Sequence, residues 1–292
     1  MYKFDIFTDS SCDLNQDMIE QYELKVMQLE VSVDGAEPVL NNEINIKEFY
    51  DKLRNGSMAK TNAVPLGQFE ENMRKSLESG RDILYLGFSS GLSATYANGV
   101  MVIEDIKGDY PDRKIIHYDT LNASMGQGLL IYYAALLREE GLSMEEVFDK
   151  VVALADYINV EVTVNDLFFL KRGGRIDAPT AIIGSVLKFK PIIMVDNEGK
   201  LSNVGKVRGR KVSIQALFDK IKVNADLDKF PYVFISQGDC LEDVEVLKGM
   251  IEAEFPAAKV VIGYVGTVIG AHTGPDVIAL AYVGKNKRGN HV

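Results

Sequence analysis

DILYLGFSSGLSATYANGVMVI, residues 82–103, passes from strand to helix across a turn of small residues. The unbroken apolar run at 82–88 reads as a central parallel strand, because such strands are covered on both faces. After the turn, Leu92, Tyr96, Val100 and Ile103 fall on one helical face. The same unit recurs upstream and downstream. YKFDIFT (2–8) alternates and feeds a polar loop, and LKVMQLEVSV (24–33) reads as one further strand. NIKEFYDKL (45–53) and GQFEENMRKSL (67–77) have helical periodicity, RKIIHYDT (113–120) is a strand, and LLIYYAALL (129–137) is a buried helix too short to span a bilayer. SMEEVFDKVVALADYI (143–158) opens with a capping box, Ser143 and Glu146. Strands alternating with helices predict a parallel sheet with helices on both faces.

Near residue 160 the pattern changes. EVTVNDLFFL (161–170), PIIMVDNEG (191–199) and LSNVGKV (201–207) are expected as closely spaced strands, with Asn197-Glu198-Gly199 as a hairpin turn. A helix over 210–224, a strand at PYVFIS (231–236), a helix capped by Asp239 with Glu242, and two strands at VVIGYVG and VIALAYVG complete the chain. The expectation is an α/β protein of two domains. Residues 1–158 form a mostly parallel sheet with flanking helices, and 159–292 a mixed sheet with helices. Ligands in such folds sit at the carboxyl ends of strands and between domains.

Composition narrows the class. The chain has 292 residues, 47% hydrophobic and 25% charged, with net charge −10. An acidic balance argues against a nucleic-acid partner, which wants a basic face. Cys12 and Cys240 are too few for a disulfide framework and fit a reducing cytosol. Asp5 and Asp9 interrupt the first apolar stretch, so it does not read as a signal peptide.

Three readings compete for GFSSG (87–91). As G-x-S-x-G it is a nucleophile elbow, making Ser89 the nucleophile and His272 the base of a serine esterase. No HGGG-type oxyanion loop accompanies it, which weakens that reading. As a plain turn, its glycines and serines merely allow a tight strand-to-helix passage. As a helix start, it offers unpaired N–H groups and, with Ser93, a hydroxyl donor for an anion such as a carboxylate.

Other chemistry is thin. There is no phosphate-binding P-loop, and Gly126-Gln127-Gly128 fails as a dinucleotide fingerprint because Ile131 occupies the third glycine position. Three histidines and two distant cysteines give no metal spacing. His117 reads as a satisfied core histidine. His272, in GTVIGAHTGPD (266–276), is as readily functional as structural. KRGGRI (171–176) and GKVRGRK (205–211) are basic clusters that by themselves read as solvated turns.

Taken together, the loops resemble the DegV family of fatty-acid-binding proteins, over essentially the whole chain. TDSSCDL (8–14), KTNAVP (60–65), SSGLSATY (89–96), Asp119-Thr120 with Gly126 and Gly128, LKRGGRI (170–176), KPII (190–193), KVRGRK (206–211) and GTVIGAHTGP (266–275) fall in the family's order. The resemblance implies two α/β domains with one long-chain fatty acid between them and no other cofactor or metal. It implies that Thr61 and Ser93 bind the carboxylate with His272 nearby, and that Asn62, Ala94 and Thr267 support them. It also implies a carrier and not an enzyme: a cytoplasmic protein that presents the fatty acid to a separate ATP-dependent kinase for acyl phosphate formation, feeding phospholipid synthesis, with transient membrane contact. Arg208, Arg210 and Lys211 are the expected docking patch for that kinase. Asn62, Ala94, Gln237 and Asp276 depart from the family pattern, which has Ser, Gly, His and Gly there. Burying about fourteen methylenes gives ~11 kcal/mol gross, so the tail dominates affinity and the head group sets direction. Hydroxyls suit the head-group role better than a buried Arg or Lys, which would hold the carboxylate in an ion pair and blunt it as a nucleophile. On this reading Ser89 belongs to the turn that places Ser93.

Overall fold

A computed structural model describes residues 2–165, 167–176 and 188–289. The N-terminal half builds a four-stranded parallel sheet, ordered β2-β1-β6-β7, from β1 (Phe4–Asp9), β2 (Lys25–Met27), β6 (Asp82–Gly87) and β7 (Ile115–Asp119). A small antiparallel sheet joins β4 (Val39–Leu40), β3 (Glu30–Val33) and β5 (Ala59–Asn62). The C-terminal half builds a six-stranded mixed sheet, ordered β10-β9-β8-β13-β11-β12. Its strands are β8 (Ile158–Thr163), β9 (Phe189–Val195), β10 (Leu201–Arg208), β11 (Tyr232–Gln237), β12 (Lys259–Tyr264) and β13 (Ile278–Val283). The pair β11–β12 is parallel; its other pairs are antiparallel.

The helices make the sheets into layers. α3 (Leu66–Glu78) and α4 (Thr95–Ile106) cover the outer face of the parallel sheet through Phe69, Met73, Val102 and Ile103. α5 (Ser124–Glu139) and α6 (Met144–Ala155) lie between the two large sheets. α8 (Arg210–Asn224) and α9 (Leu241–Glu254) cover the far face of the mixed sheet. Strand alternation sorts the side chains: Ala279, Ala281 and Val283 of β13 face α5, while Ile278, Leu280 and Tyr282 face α8 and α9. Three short helices remain: α1 (Gln16–Gln21), α2 (Ile46–Arg54) and α7 (Phe168–Arg172). A fourth, α10 (Thr267–Thr273), follows β12 yet packs on α2, β3 and β5 of the other half. α5 holds the expected 129–137 segment, and Gly126 explains its close seat: a Cβ there would meet Val160 Cγ2 at 2.2 Å. Gly128 seats the same helix against the loop after β1, where a Cβ would meet Cys12 O at 2.6 Å, so the glycine pair serves close packing of α5.

Three expectations need correction. The segment 24–33 divides between two sheets. The break is made by distant partners, since Leu29 N donates to Ser10 Oγ at 3.0 Å and Gln28 N to the Gln68 side chain. Residues 168–170 are helical, not strand. Asp239 does not cap α9; Cys240 is at the cap position without a side-chain bond, and Asp239 has φ 60. The capping box of α6 is present, with Glu146 N donating to Ser143 Oγ at 3.3 Å.

Candidate functional site

Between the mixed sheet and the N-terminal half lies a cavity of about 200 Å³. Its floor is one face of the mixed sheet: Val160, Val162, Ile193, Val195 and Ala279. The alternation that puts these side chains on one face sends Asn159, Glu161 and Thr163 to the other. Phe88, Leu92, Ala123, Val268 and Ile269 close it from above.

One part of the wall is polar, contributed by Thr61, Asn62, Ser93, Ser124, Arg175, His272 and Thr273. Thr61, on β5, and His272, on α10, meet directly: Thr61 Oγ1 lies 2.8 Å from His272 Nε2. Burial pushes the imidazole down to about 4, with Arg175 and Arg172 adding to the effect. His272 is therefore neutral at pH 7. With its proton on Nε2 it donates to Thr61, whose own proton is then free to point at an acceptor in the cavity. Behind the ring, Nδ1 has no hydrogen-bond partner among the described residues. Gly173 presses against it, and a Cβ at that position would come within 2.1 Å of Nδ1.

Ser93 enters from the turn before α4. Its N–H donates to Ser89 O at 3.1 Å; its hydroxyl accepts from Thr95 N at 3.1 Å and donates to Thr95 Oγ1 at 3.0 Å. The N-cap residue, Ala94, has no oxygen to offer, so Ser93 serves the first turn in its place. Arg175 follows α7. It donates from Nε to Leu92 O at 3.2 Å and from Nη1 to Gly173 O at 2.5 Å, and burial lowers its pKa. Arg172 stacks over the rings of Phe168 and Phe169. The polar wall thus contains a guanidinium, against the expectation of hydroxyls alone. Two of its five N–H donors go to backbone, on Nε and Nη1, so it ties the 92–93 turn to the 173–175 turn while adding positive potential to the wall.

Thr61, Ser93, His272, Asn62 and Ala94 all line the cavity. Asn62 also donates to Glu30 Oε2 at 3.0 Å. Thr267 does not line it; it begins α10, and its hydroxyl goes to Asn41. Arg175, Ser124 and Thr273 were missed. The glycines flanking the KRGGRI arginines were the available signal, since close backbone packing there brings the second Arg inward.

Ser89 is fully buried. Its hydroxyl donates to Gly199 O at 2.7 Å and accepts from Gly91 N at 3.2 Å. The turn docks on the β9–β10 hairpin, so the Ser89 hydroxyl is engaged by Gly199 and Gly91 while His272 Nε2 is engaged by Thr61. The esterase arrangement of Ser89 with His272 is not formed. His117 is half-buried, with Nδ1 2.8 Å from Tyr96 Oη. TDSSCDL proves to be a buried junction. Asp9 accepts from Phe88 N at 2.9 Å, tying the end of β1 to the turn after β6, and burial nonetheless raises its pKa. Asp13 accepts from Gly266 N at 2.9 Å and from the Ser124 hydroxyl, and burial raises its pKa to about 7. In the basic cluster, Arg208 and Lys211 are exposed, whereas Arg210 Nε donates to Asp243 Oδ2 at 2.7 Å and Nη2 contacts Cys240 Sγ. Arg210 is an α8–α9 tie and not a free docking residue.

No group of three or more His, Cys, Asp or Glu among the described residues is placed to hold a metal, and no described helix is long and apolar enough to cross a membrane.

An apolar chamber with one polar wall, set between two α/β layers, has the geometry of a site for an amphipathic small molecule. The chain belongs to the DegV family: the family model described as "Uncharacterised protein, DegV family" matches residues 3–285. A DegV domain-containing protein of Clostridium perfringens is 38% identical over 289 residues, covering 98% of this chain and 99% of its own. Two solved structures share the fold. A stearic acid-binding protein from Eubacterium ventriosum has TM-score 0.87 and 27% identity, covering 98% of this chain and 99% of its own. A fatty-acid-binding DegV family protein from Thermus thermophilus has TM-score 0.85 and 28% identity, covering 97% and 100%. These relatives are described as binding proteins, not as enzymes.

Proposed function

We propose that this protein binds one long-chain fatty acid in the cavity, its tail on the Val160–Val162–Ile193–Ala279 floor and its carboxylate at Thr61, Ser93 and His272. The single observation that carries this reading is the Thr61–His272 pair at the polar wall of an otherwise apolar cavity. With His272 Nε2–H donating to Thr61, the Thr61 hydroxyl proton is free for a carboxylate, the Ser93 hydroxyl reaches it by turning its proton away from Thr95 Oγ1, and Arg175 adds positive potential. The fatty acids bound by the structural relatives support the same ligand class. The seam would lie between two domains, 1–158 and 159–292, as the separate origin of the two large sheets suggests.

The resemblance carries the reading further. The protein would be a cytoplasmic carrier that takes its cargo at a transient membrane contact. It would present the carboxylate to a separate ATP-dependent kinase for acyl phosphate formation in phospholipid synthesis. Arg208 and Lys211 are the exposed cations available for that encounter. Mass spectrometry of lipid extracted from purified protein is the test. Stoichiometric long-chain fatty acid is the expected result. Lipid-free protein that hydrolyses esters, with turnover lost in Ser89→Ala, would overturn it.

A further inference from the structure

Arg54, at the C-terminal end of α2, reaches out of the N-terminal half and grips two loops of the other. Its Nη2 donates to Asp239 O at 2.7 Å and to Asp276 Oδ1 at 3.0 Å, and its Nη1 pairs with the Asp239 carboxylate. Asp239 lies between β11 and α9; Asp276 lies between α10 and β13. Both hold left-handed backbone, φ 60 and φ 61, which most side chains avoid. Asp276 also accepts from the Asn165 amide, and Lys190 Nζ donates to Asn165 Oδ1 at 2.9 Å. One turn earlier on α2, Tyr50 Oη donates to Val265 O at 2.6 Å. α2 therefore holds α10 at both ends, through Val265 before it and Asp276 after it.

The placement matters because α10 carries His272, while Val265, Thr273 and Val277 line the cavity. Because α10 supplies part of this lining, the freedom of α10 bears on how readily a long acyl chain passes in and out. The Tyr50 bond is fully buried, but the Arg54 cluster is one-fifth to one-third exposed (Asp239 20%, Arg54 32%, Asp276 33%), within reach of water and salt. It is the tie that can be released without unpacking the core.

We propose that the Arg54–Asp239–Asp276 clasp is a positioning device for the α10 wall and sets the rate at which the bound fatty acid exchanges. This rests on the fatty-acid reading above. Asp276, which departs from the glycine of the family pattern, then has a reason: the side chain that strains the backbone is the one Arg54 holds.

The experiment is release of radiolabelled stearate from loaded protein to excess phosphatidylcholine vesicles, followed against salt. Arg54→Met keeps the aliphatic stem and removes the charge. It should release stearate about three- to ten-fold faster, the range that two part-exposed ion pairs supply. Wild-type release should quicken with salt, and the variant's should not. Asp276→Gly relieves the strain and removes one arm, so it should speed release without loss of melting temperature, and the double variant should be less than additive. Wild-type release rates and salt slopes in both variants would overturn the clasp. Failure of the wild type to take up stearate at all would overturn the fatty-acid reading itself, and the clasp with it.

Discussion

The floor of the cavity and its polar wall are held by different means. Val160, Val162, Ile193 and Ala279 sit on adjacent paired strands, where register alone fixes which way they face. Thr61, Ser93, Arg175 and His272 come from β5, the turn before α4, the turn after α7, and α10. Each is placed by hydrogen bonds from a different part of the chain. A floor of that kind keeps its fold and orientation when one apolar side chain is exchanged for another, so an exchange there changes only the space it leaves. A wall of this kind fails through its supports as readily as through its own residues.

The largest effect should come from the floor. Ala279→Phe pushes a ring into the cavity from a strand that stays paired. Excluding about four methylenes of the tail at ~0.8 kcal/mol each weakens stearate binding roughly 100-fold. Equilibrium binding would show this, and unchanged affinity would mean that the tail lies elsewhere.

Next is a support of the wall. Asp13 has a raised pKa, so its contribution to stability is present at low pH and is lost as pH rises toward about 7. Asp13→Asn keeps an acceptor for Gly266 N and suits the left-handed backbone at φ 54. It should gain about 1–3 kcal/mol against urea at pH 8 and almost nothing at pH 4. A loss at pH 8 would show that the ionised form is the one the fold wants. His272 has the opposite sign. Its lowered pKa means that stability is full above its ordinary value of 6.5 and falls as pH drops toward about 4. His272→Gln should flatten that acid limb in pH-dependent melting.

The wall residues themselves come third. Thr61→Val and Ser93→Ala each remove one hydroxyl donor and should cost about 1 kcal/mol, roughly five-fold in stearate affinity, with the fold intact. On the proposed carrier role, kinase-dependent acyl phosphate yield should fall further than affinity. An equal fall in both would make the hydroxyls anchors only. The smallest effect lies outside the cavity. If the proposed kinase encounter holds, Arg208→Glu with Lys211→Glu should leave stearate binding unchanged and slow acyl phosphate formation about two- to five-fold at low salt, converging on wild type as salt rises.

The same contrast explains what could be read from sequence. The floor and the layers were legible because apolar periodicity records them: 82–88, 129–137 and 210–224 all fall in the elements expected. The Ser143–Glu146 box was legible because it is local. Ser93 was offered by the helix-start reading and His272 by its glycine-rich loop, but Thr61 and the meeting of the three came from family resemblance; nothing near Thr61 in sequence announces a histidine 211 positions away. The split of 24–33, the helix at 168–172 and the committed Arg210 were not legible, since distant partners decide each one. Arg175 was passed over because a basic cluster in an acidic chain looks like a solvated turn until two glycines let it fold inward.

α10 has a consequence for biosynthesis. It is encoded near the end of the chain, but it covers β3, β5 and α2, made more than 200 residues earlier. As the protein leaves the ribosome, the small β4–β3–β5 sheet is synthesised with its apolar side bare and must wait for nearly the whole polypeptide before it is roofed. Chains truncated before residue 267 should therefore be protease-sensitive at 30–62 and engage chaperones there, while the released full-length chain should not.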